Sequence, residues 1–358
     1  MMPQTFKQNR NRNRNKNISS IIKDPKTKPK IKTIMSETYL RAYEYESNVN
    51  PQMLKIPISS KNITTCPYGI TSIDFSEFYH VQHPSTSPNL LASFIRLSQN
   101  QTVHFNPEIN TNNLNASSHF FYLMHGTAEI TTVKSTTQTH TETFQLKAGD
   151  IFIHPCLSSM KIVNTNNQYH ENQNETQNEN QNETHIYYIN DAPLLQYLGS
   201  IPQTQTFQPA TYTKEYIATQ MQLLANPNNN RKGILLGNED TEKIGNKTIT
   251  PVLWSLFNEL PPQTRQKPHR HNSVALDLCI SCDDDDENIY TLMGEALDEH
   301  GNILKPTKVY WKKSEMFITP PGLWHSHHND GDTYAYVLPI QDAGLLLYQR
   351  ILGIELYK

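Results

Sequence analysis

Cysteine is scarce in this sequence, whose 358 residues contain only Cys66, Cys156, Cys279 and Cys282. Four cysteines are too few for the disulfide framework of a secreted protein of this length, so we expect reduced thiols and a cytoplasmic location. Cys279 and Cys282 have CxxC spacing, but a zinc site needs a second pair and a thioredoxin-type motif opens a helix. This pair follows a β-like run, and we predict neither role for it.

Long apolar runs and a strong charge of either sign are also absent. No stretch reaches the roughly 18 apolar residues of a membrane-spanning helix, and none near the N-terminus has the apolar core of a signal peptide. Lys and Arg number 31 against 34 Asp and Glu, giving a formal net charge of −3. A nearly neutral protein is not drawn to nucleic acid or to membrane surfaces. We therefore expect neither as a partner, and a small-molecule substrate instead.

Two segments have biased composition. Residues 1–34 carry ten Lys or Arg against one acidic residue, Asp24, which predicts a disordered basic tail that we extend with its lead-in to residue 48. Such a tail leaves organelle targeting open, although transit peptides are amphipathic and this segment is not clearly so. Residues 164–185, "NTNNQYHENQNETQNENQNETH", lack hydrophobic periodicity and are typical of an expanded surface loop.

The ordered remainder is rich in short β-type runs. "HFFYLMHGTAEITTV" and "TETFQLKAGDIFIHP" precede the Asn-rich segment, and "IYYIND" follows it. Such β-branched and aromatic runs, bounded by Gly, Pro and Asn, predict an antiparallel all-β fold. The same pattern of short β-type runs recurs over residues 251–340.

The second half of the chain repeats the first. "GDIFIHP", which ends at Pro155, resembles "SEMFITP", which ends at Pro320, and "YINDAPLL" resembles "LPIQDAGLL". The interval between the two motifs is longer in the first copy, and the excess falls in the Asn-rich segment. We therefore predict a duplicated β-domain with an insertion in its first copy. The predicted divisions are residues 49–200, a connector at 201–248, and residues 249–358.

Three short helices are predicted around these copies. Leu and Tyr cluster without strict alternation at Ala192–Leu198 and Gly344–Leu352, directly after each copy. The connector is predicted to contain a third helix near Thr213–Leu224.

Histidines form the most informative cluster. His269 and His271 are two residues apart, so on a strand both imidazoles point to one face and can converge on an ion inside a barrel. A third ligand must come from a neighbouring strand. His325 and His327 stand beyond a Pro/Gly turn that launches a strand, and they too share a face. Alone, the first pair would be a solvated strand end; together with His325 it predicts a metal site.

This pairing of motifs resembles the cupin superfamily of jelly-roll barrels that hold a metal ion inside the barrel. The second cupin motif is matched by Pro320, Gly322, His325 and Asn329. The first is matched by His269 and His271 but lacks the glutamate that many cupins place after them, where Ala275 and Leu276 stand. The resemblance spans roughly residues 85–358 and implies two double-stranded β-helix barrels, a bicupin, with short peripheral helices.

Among cupins, "PHRHNSVAL" and "PPGLWHSHHND" are most similar to the gentisate 1,2-dioxygenase-like bicupins. That resemblance implies an Fe(II) enzyme, with His269, His271 and His325 as the ligands and O2 as a co-substrate. Three neutral imidazoles leave open positions where O2 and a bidentate substrate can bind side by side. Mn, Ni and Zn are the alternative metals.

Three residues are predicted to act around this metal. Asp277 stands where the family pattern has an arginine that contacts the carboxylate of the substrate. The negative charge of Asp277 would repel an anionic substrate unless Arg270, Arg265 or Lys267 compensates for it. Asp277 also has the same strand parity as the two histidines. It is therefore an alternative fourth metal ligand, if a β-bulge brings it closer to the metal. We place Arg270 near the substrate. His327 is assigned either to orienting a ligand or to a structural role.

The first copy lacks the metal set and is interpreted as a degenerate cupin. Its isolated histidines, His104, His119, His125 and His154, are more typical of packed or surface residues than of ligands. The four acidic residues 283–286 are interpreted as a hydrophilic hairpin loop. Members of the resembling family are thought to bind the metal in their first cupin, whereas in this sequence only the second cupin carries the metal-binding histidines.

Two functions of different classes follow. The first is a metal-dependent dioxygenase acting on a small aromatic or other bidentate substrate. The second is a non-catalytic bicupin that binds a metal or a small molecule as a sensor or structural protein. An isomerase or a metal-dependent hydrolase is a weaker third. The sequence is compatible with a homo-oligomer.

Overall fold

The computed structural model describes residues 39–50, 53–105, 115–134, 140–155, 159–166, 182–282 and 287–357. The predicted basic tail, most of the Asn-rich segment and the acidic loop at 283–286 lie outside these residues. Residues up to Met53 form one unit, which contains the short helix α1 (Tyr45–Asn48). Residues Leu54–Lys358 form a second, compact unit.

The first half of the larger unit is built from short antiparallel strands. They are β1 (Ser60–Asn62), β2 (Gly69–Ser72), β3 (Leu91–Leu97), β4 (Thr102–Phe105), β5 (Ser118–His125), β6 (Thr127–Lys134), β7 (His140–Lys147), β8 (Ile151–Pro155), β9 (Ser159–Asn164), β10 (Thr184–Asn190) and β11 (Ala210–Tyr212). Two sheets, in the orders β11-β8-β5-β10-β3-β2 and β4-β9-β6-β7, form the two walls of the first barrel.

The second half repeats this arrangement. Its strands are β12 (Lys232–Leu236), β13 (Trp254–Leu260), β14 (Thr264–Arg265), β15 (His269–His271), β16 (Ala275–Ser281), β17 (Ile289–Gly294), β18 (Thr307–Tyr310), β19 (Glu315–Thr319), β20 (Trp324–Asn329), β21 (Ala335–Gln341) and β22 (Ile354–Leu356). The two walls of the second barrel have the orders β1-β19-β16-β21-β13-β12 and β18-β17-β20-β15-β22, and β14 pairs with β20.

The predicted repeat is visible in the strand pairing. In the first barrel β5 lies between β8 and β10, and in the second β16 lies between β19 and β21. The two repeated aspartates also have matching roles: Asp191 accepts a hydrogen bond from the backbone N–H of Ser118, and Asp342 accepts one from that of Val274. The chain is therefore an all-β protein with two similar barrels, as predicted.

The apolar runs reflect strands that are buried on both faces. In β5, Phe120 and Tyr122 pack into a core shared by the two barrels, whereas Phe121 and Leu123 pack into the interior of the first barrel. Because successive side chains alternate between faces, a strand between two cores has no polar face. The shared core also contains Leu276 from β16, so the two barrels pack sheet against sheet.

Each wall at this interface is completed by a strand from elsewhere in the chain. β1 pairs with β19 of the second barrel, and β11 pairs with β8 of the first. The predicted connector supplies β11 and also β12, which pairs with β13. Strands of the connector and of the N-terminal segment thus belong to barrel walls, and the predicted domain boundaries stay a prediction.

Helices are short and peripheral. They are α2 (Ser76–Tyr79), α3 (Ala192–Leu198), α4 (Lys214–Leu224), α5 (Glu239–Lys243) and α6 (Ala343–Tyr348). The predicted helices at 192–198 and 213–224 are confirmed, the latter with the Thr213 side chain accepting from the backbone N–H of Tyr216. α6 is shorter than predicted, because Arg350 adopts φ +65° soon after its end. None of the described helices is long and apolar enough to cross a membrane.

The interior of the second barrel is divided in two. One part is apolar and is formed by Leu260, Cys279, Ile289, Met293, Trp311, Phe317, Ala335 and Val337. Histidines and other polar side chains line the remainder. The first barrel instead contains a continuous apolar core.

Candidate metal centre

Three histidines converge inside the second barrel. β15 carries His269 and His271, and β20, which pairs with it, carries His325 directly opposite His269. Each imidazole offers a nitrogen, and these atoms lie within 4.8 Å of one another. Antiparallel pairing thus brings together residues more than 50 positions apart, and the donor set can hold a metal ion.

Hydrogen bonds fix two of these rings. Nδ1 of His271 lies 2.9 Å from the carbonyl oxygen of Ser273, and Nδ1 of His325 lies 3.0 Å from that of Leu323. A carbonyl can only accept, so both Nδ1 atoms carry the hydrogen and both Nε2 atoms present a lone pair. This outer hydrogen bond is typical of metal-ligating histidines. Nδ1 of His269 is buried without a hydrogen-bond partner among the described residues.

The site holds the imidazoles neutral. Burial lowers the pKa of His269 and His325 well below the usual value of 6.5, and neighbouring histidines and Arg231 lower both further. Burial also lowers the pKa of His271. Neutral imidazole is the form that binds metal, so no proton has to leave these rings at neutral pH.

The histidines line a partly open cavity of about 170 Å³. Its walls come from both sheets of the second barrel and from the end of the connector. The lining residues are Arg231, Gly233, Ile234, Leu235, Leu256, Asn258, Gln266, His269, His271, Ala275, Asp277, His325, His327, Pro339 and Gln341.

Asp277 lies on the wall of this cavity, on β16, with only 3% of its surface exposed. Its Oδ2 accepts a 2.6 Å hydrogen bond from the hydroxyl of Thr319. Burial raises the pKa of Asp277 to about 7, and the bond from Thr319 opposes that rise. The group of three donors does not include Asp277. The carboxyl is therefore a wall residue that can hold or release a proton near neutral pH.

His327 also lines the cavity, on the same face of β20 as His325. Its ring centroid lies 6.0 Å from that of His325 and 6.3 Å from that of His269. Nδ1 of His327 lies 2.8 Å from Oγ1 of Thr291. Burial lowers the pKa of His327 to about 3, with Arg231 adding to the effect.

Arg270 is not brought to the cavity. It lies between His269 and His271 on β15, so its side chain points to the opposite face of the strand. There its Nε donates to Glu355 at 2.7 Å, and its guanidinium lies 4.7 Å from the Trp324 ring centre. The predicted position of Arg270 near the substrate is thus replaced by an ion pair on the outer side of the sheet.

Two polar residues of the cavity wall carry no recognisable sequence signal. Arg231 precedes β12, is half-buried, and donates through Nη2 to the carbonyl oxygen of Lys267. Gln266 is 5% exposed, and its Oε1 has no partner among the described residues. Arg231 sits in "NPNNNRKG", a stretch that is typical of a surface loop. Only the pairing of β12 with β13 brings it against the histidines.

Asn329, the last residue that matches the second cupin motif, has a structural role. Nδ2 of Asn329 donates to the carbonyl oxygens of Leu260 and Thr333, and its Oδ1 accepts from the backbone N–H of Gly331. These bonds fix the turn at the end of β20. Asn329 therefore shapes the strand that carries His325 and His327 and does not line the cavity.

The first barrel has no comparable centre in the part of the chain that the structure describes. His119 and His154 face each other on β5 and β8, and both are fully buried. Burial lowers the pKa of His119 to about 3, with His154 adding to the shift. This pair lies among aromatic side chains, in agreement with a packed role for histidines of the first copy.

Comparison by sequence finds no matching protein-family model and no matching curated protein. Comparison of structures does find similar folds. A salicylate 1,2-dioxygenase from Pseudaminobacter salicylatoxidans superimposes with a TM-score of 0.63 at 13% identity, covering 93% of this chain and 99% of that chain. A single-substitution variant of that enzyme gives 0.62 at 14% identity, covering 89% and 94%.

The gentisate adduct of the same enzyme gives a TM-score of 0.60 at 12% identity and covers 86% of this chain and 87% of that chain. Identities this low carry the fold and not the activity. The chain therefore has the two-barrel bicupin fold that is found in these dioxygenases.

Proposed function

We propose that this protein is a metal-dependent dioxygenase that acts on a small aromatic acid or another bidentate substrate. One observation carries the proposal: three neutral histidine nitrogens converge on a cavity whose wall also carries Arg231, a half-buried arginine. Three protein ligands leave open positions on a metal, as catalytic sites require and closed structural sites do not.

The donor set fits Fe(II), with Mn, Ni or Zn as alternatives. Backbone carbonyls hold His271 and His325 so that Nε2 of each would be free to bind the ion, and His269 would supply the third nitrogen. Imidazole ligands suit all four metals, so the chemistry of the donors alone does not select one. When bound, Fe(II) would supply the redox and Lewis-acid chemistry through which O2 is activated beside the substrate.

Arg231 is the cation that we assign to the substrate. The guanidinium is close enough to His269, His325 and His327 to lower the pKa of each. A carboxylate of the substrate placed between Arg231 and the metal would gain a charge-assisted hydrogen bond that water screens only weakly. Salicylate, named for the similar enzyme, and gentisate, named in its adduct, both carry such a carboxylate and are the first probes to use.

Asp277 and His327 are proposed to contact the bound substrate. A carboxyl with a pKa of about 7 can accept a proton from a hydroxyl group of the substrate or return one, which is general acid–base chemistry at neutral pH. His327 lies beside the ligands without belonging to the donor set, and can form a hydrogen bond to a substrate oxygen. Arg270 is left out of this proposal because it faces away from the cavity.

The alternative is a non-catalytic bicupin that binds a metal or small molecule. The feature that favours it is Asp277, a carboxylate on the wall where the resembling enzymes have a substrate-binding arginine. Oxygen consumption distinguishes the two functions.

The test is oxygen uptake by protein purified without air and loaded with Fe(II). The substrates are gentisate, salicylate, catechols and simple diketones, and the variants are His269→Ala and His325→Ala. We expect uptake with at least one aromatic acid, abolished in both variants together with the bound iron. Stoichiometric iron that is lost in both variants, without uptake on any substrate, would contradict the dioxygenase and support the binding protein.

A further inference from the structure

Trp311, Thr291 and His327 form a hydrogen-bonded row inside the second barrel. The indole Nε1 of Trp311 donates to Oγ1 of Thr291 at 2.8 Å, and Oγ1 lies 2.8 Å from Nδ1 of His327. All three side chains are buried, and the Thr291 side chain is fully removed from solvent. Only His327 among them lines the cavity. The row therefore runs from the apolar part of the barrel interior to the metal centre.

The positions of the hydrogens in this row follow from what each group can do. An indole N–H can only donate, so Trp311 occupies a lone pair of Oγ1. The hydroxyl hydrogen of Thr291 then requires an acceptor, and Nδ1 of His327 is the one that the described residues provide. With the hydrogen on Nδ1 instead, the hydroxyl of Thr291 would receive two donors and its own hydrogen would be buried without a partner.

We propose that Thr291, whose hydroxyl oxygen accepts from Trp311, is a positioning residue that holds His327 in the tautomer with its hydrogen on Nε2. In this form His327 donates a hydrogen bond towards the occupant of the cavity and has no lone pair on Nε2 for a metal. The inference deepens the proposed function, because it specifies a substrate that places a hydrogen-bond acceptor, such as a carboxylate or phenolate oxygen, against His327.

The contrast with the three ligands supports this assignment. Nδ1 of His271 and Nδ1 of His325 face carbonyl oxygens and must donate, which leaves their Nε2 atoms free to bind. Nδ1 of His327 faces the Thr291 hydroxyl, whose hydrogen has no other acceptor among the described residues, so this Nδ1 must accept. The partner of Nδ1 thus decides which of two neighbouring histidines on one strand face is a ligand and which is a donor.

The test reads the tautomer directly in long-range ¹H–¹⁵N spectra of the metal-free full-length protein with ¹⁵N-labelled histidine rings. His327→Gln identifies the signals of His327 by their loss. We expect the wild type to show a protonated Nε2 and a bare Nδ1 at this ring. Thr291→Val, which removes the hydroxyl and nearly keeps the shape of the side chain, should lose the preference for Nε2–H, because Nδ1 of His327 then accepts no hydrogen bond. Thr291→Ser, which keeps the hydroxyl, should leave the ring unchanged.

A protonated Nδ1 in the wild type, or an unchanged preference for Nε2–H in Thr291→Val, would overturn the proposal. If Thr291→Val does not fold, Thr291→Ala removes the same hydroxyl, and its His327 must also lose the preference for Nε2–H. Binding of Cu²⁺ as a probe supplies a second readout: electron spin-echo spectra should count three bound imidazoles in the wild type and a fourth in the variant without the hydroxyl. The tautomer is defined without metal or turnover, so a failure of the proposed enzyme activity leaves this test intact.

Discussion

At the scale of single residues, charge decides what the cavity can bind. Its wall brings one arginine, one aspartate and four histidines into a space that excludes much of the solvent. Burial lowers the pKa of the histidines and raises that of Asp277 towards neutrality, so Arg231 is the fixed positive charge of the wall. The proposed preference of the site for an anionic substrate therefore depends on Arg231.

Replacing Arg231 tests this directly. Arg231→Gln should raise KM for a carboxylate substrate by about 10- to 100-fold, which corresponds to the roughly 1.5–3 kcal/mol of a hydrogen bond to a charged group. KM for a catechol, which lacks the carboxylate, should change little. Steady-state oxygen uptake measures both constants, and Arg350→Gln, at an exposed arginine that bonds to backbone carbonyls, is the matched control. Equal losses on both substrate types would contradict the assigned role.

Asp277 gives a prediction on stability and pH. Its pKa is about 7 in the folded protein against 3.8 for an unperturbed aspartate, so between these values the folded state holds a proton that the unfolded state has released. The free energy of unfolding should therefore fall as pH rises through this range, by a few kcal/mol in total. Asp277→Asn keeps an acceptor for Thr319 and removes the titration.

Urea unfolding of the metal-free protein at several pH values measures this effect. The stability of Asp277→Asn relative to the wild type should grow from about pH 4 to about pH 7 and then level off. A difference that is constant over this range would show that Asp277 is ionised throughout.

At the scale of secondary-structure elements, β12 is the strand that completes the cavity. Gly233 on this strand lies against β13, and a Cβ added there would stand 2.8 Å from the carbonyl oxygen of Phe257 and even closer to Oδ1 of Asn258. Such a contact with backbone cannot be relieved by rotating a side chain. β12 can pair as it does, and carry Arg231 to the histidines, because residue 233 has no side chain.

Gly233→Ala should therefore displace β12 from β13. We expect a loss of about 1–3 kcal/mol in the free energy of unfolding, which is typical of overpacking, together with weaker binding of anionic ligands. Gly353→Ala is the control, since a Cβ there meets nothing closer than 3.9 Å. Thermal unfolding and ligand titration measure the two effects, and equal behaviour of the two variants would contradict the account of β12.

The elements also show how far sequence alone reaches. His269, His271 and His325 could be predicted because strand parity and a Pro/Gly turn are local patterns, and so could the helix that begins after Thr213. Arg231 could not be predicted, because its place depends on which strand β12 pairs with. Arg270 was predicted near the substrate, although its place between His269 and His271 already turns it to the other face of the strand. Only its partner Glu355 required the fold.

At the scale of the whole molecule, the two barrels depend on each other. Val274, Leu276, Leu278, Met316, Ile318, Leu338 and Ile340 of the second barrel are buried in the shared core. Burial of one such side chain contributes about 1.5–3 kcal/mol, so exposing all seven would cost more than the total stability of most domains. The degenerate first barrel thus has a physical role, which is to cover the outer face of the barrel that carries the histidines.

This dependence predicts the behaviour of a fragment. Residues 249–358 expressed alone should aggregate or lack a cooperative unfolding transition, because they expose this face and lack β1 and β12, the two edge strands of their wall. Circular dichroism and size-exclusion chromatography of the fragment provide the measurement. A monomeric fragment with a sharp thermal transition would show that the second barrel is an independent domain.

The measurement that tests the central claim most directly is the metal content of the protein and its histidine variants after anaerobic loading with Fe(II) and removal of unbound metal. The wild type should retain one iron per chain. His269→Ala, His271→Ala and His325→Ala should each lose it, whereas His327→Ala, whose ring lies outside the donor set, and His104→Ala, at an exposed histidine of the first barrel, should retain it. A wild type that binds no iron or other transition metal, or a His325→Ala variant that binds it as well as the wild type, would contradict the metal centre described above.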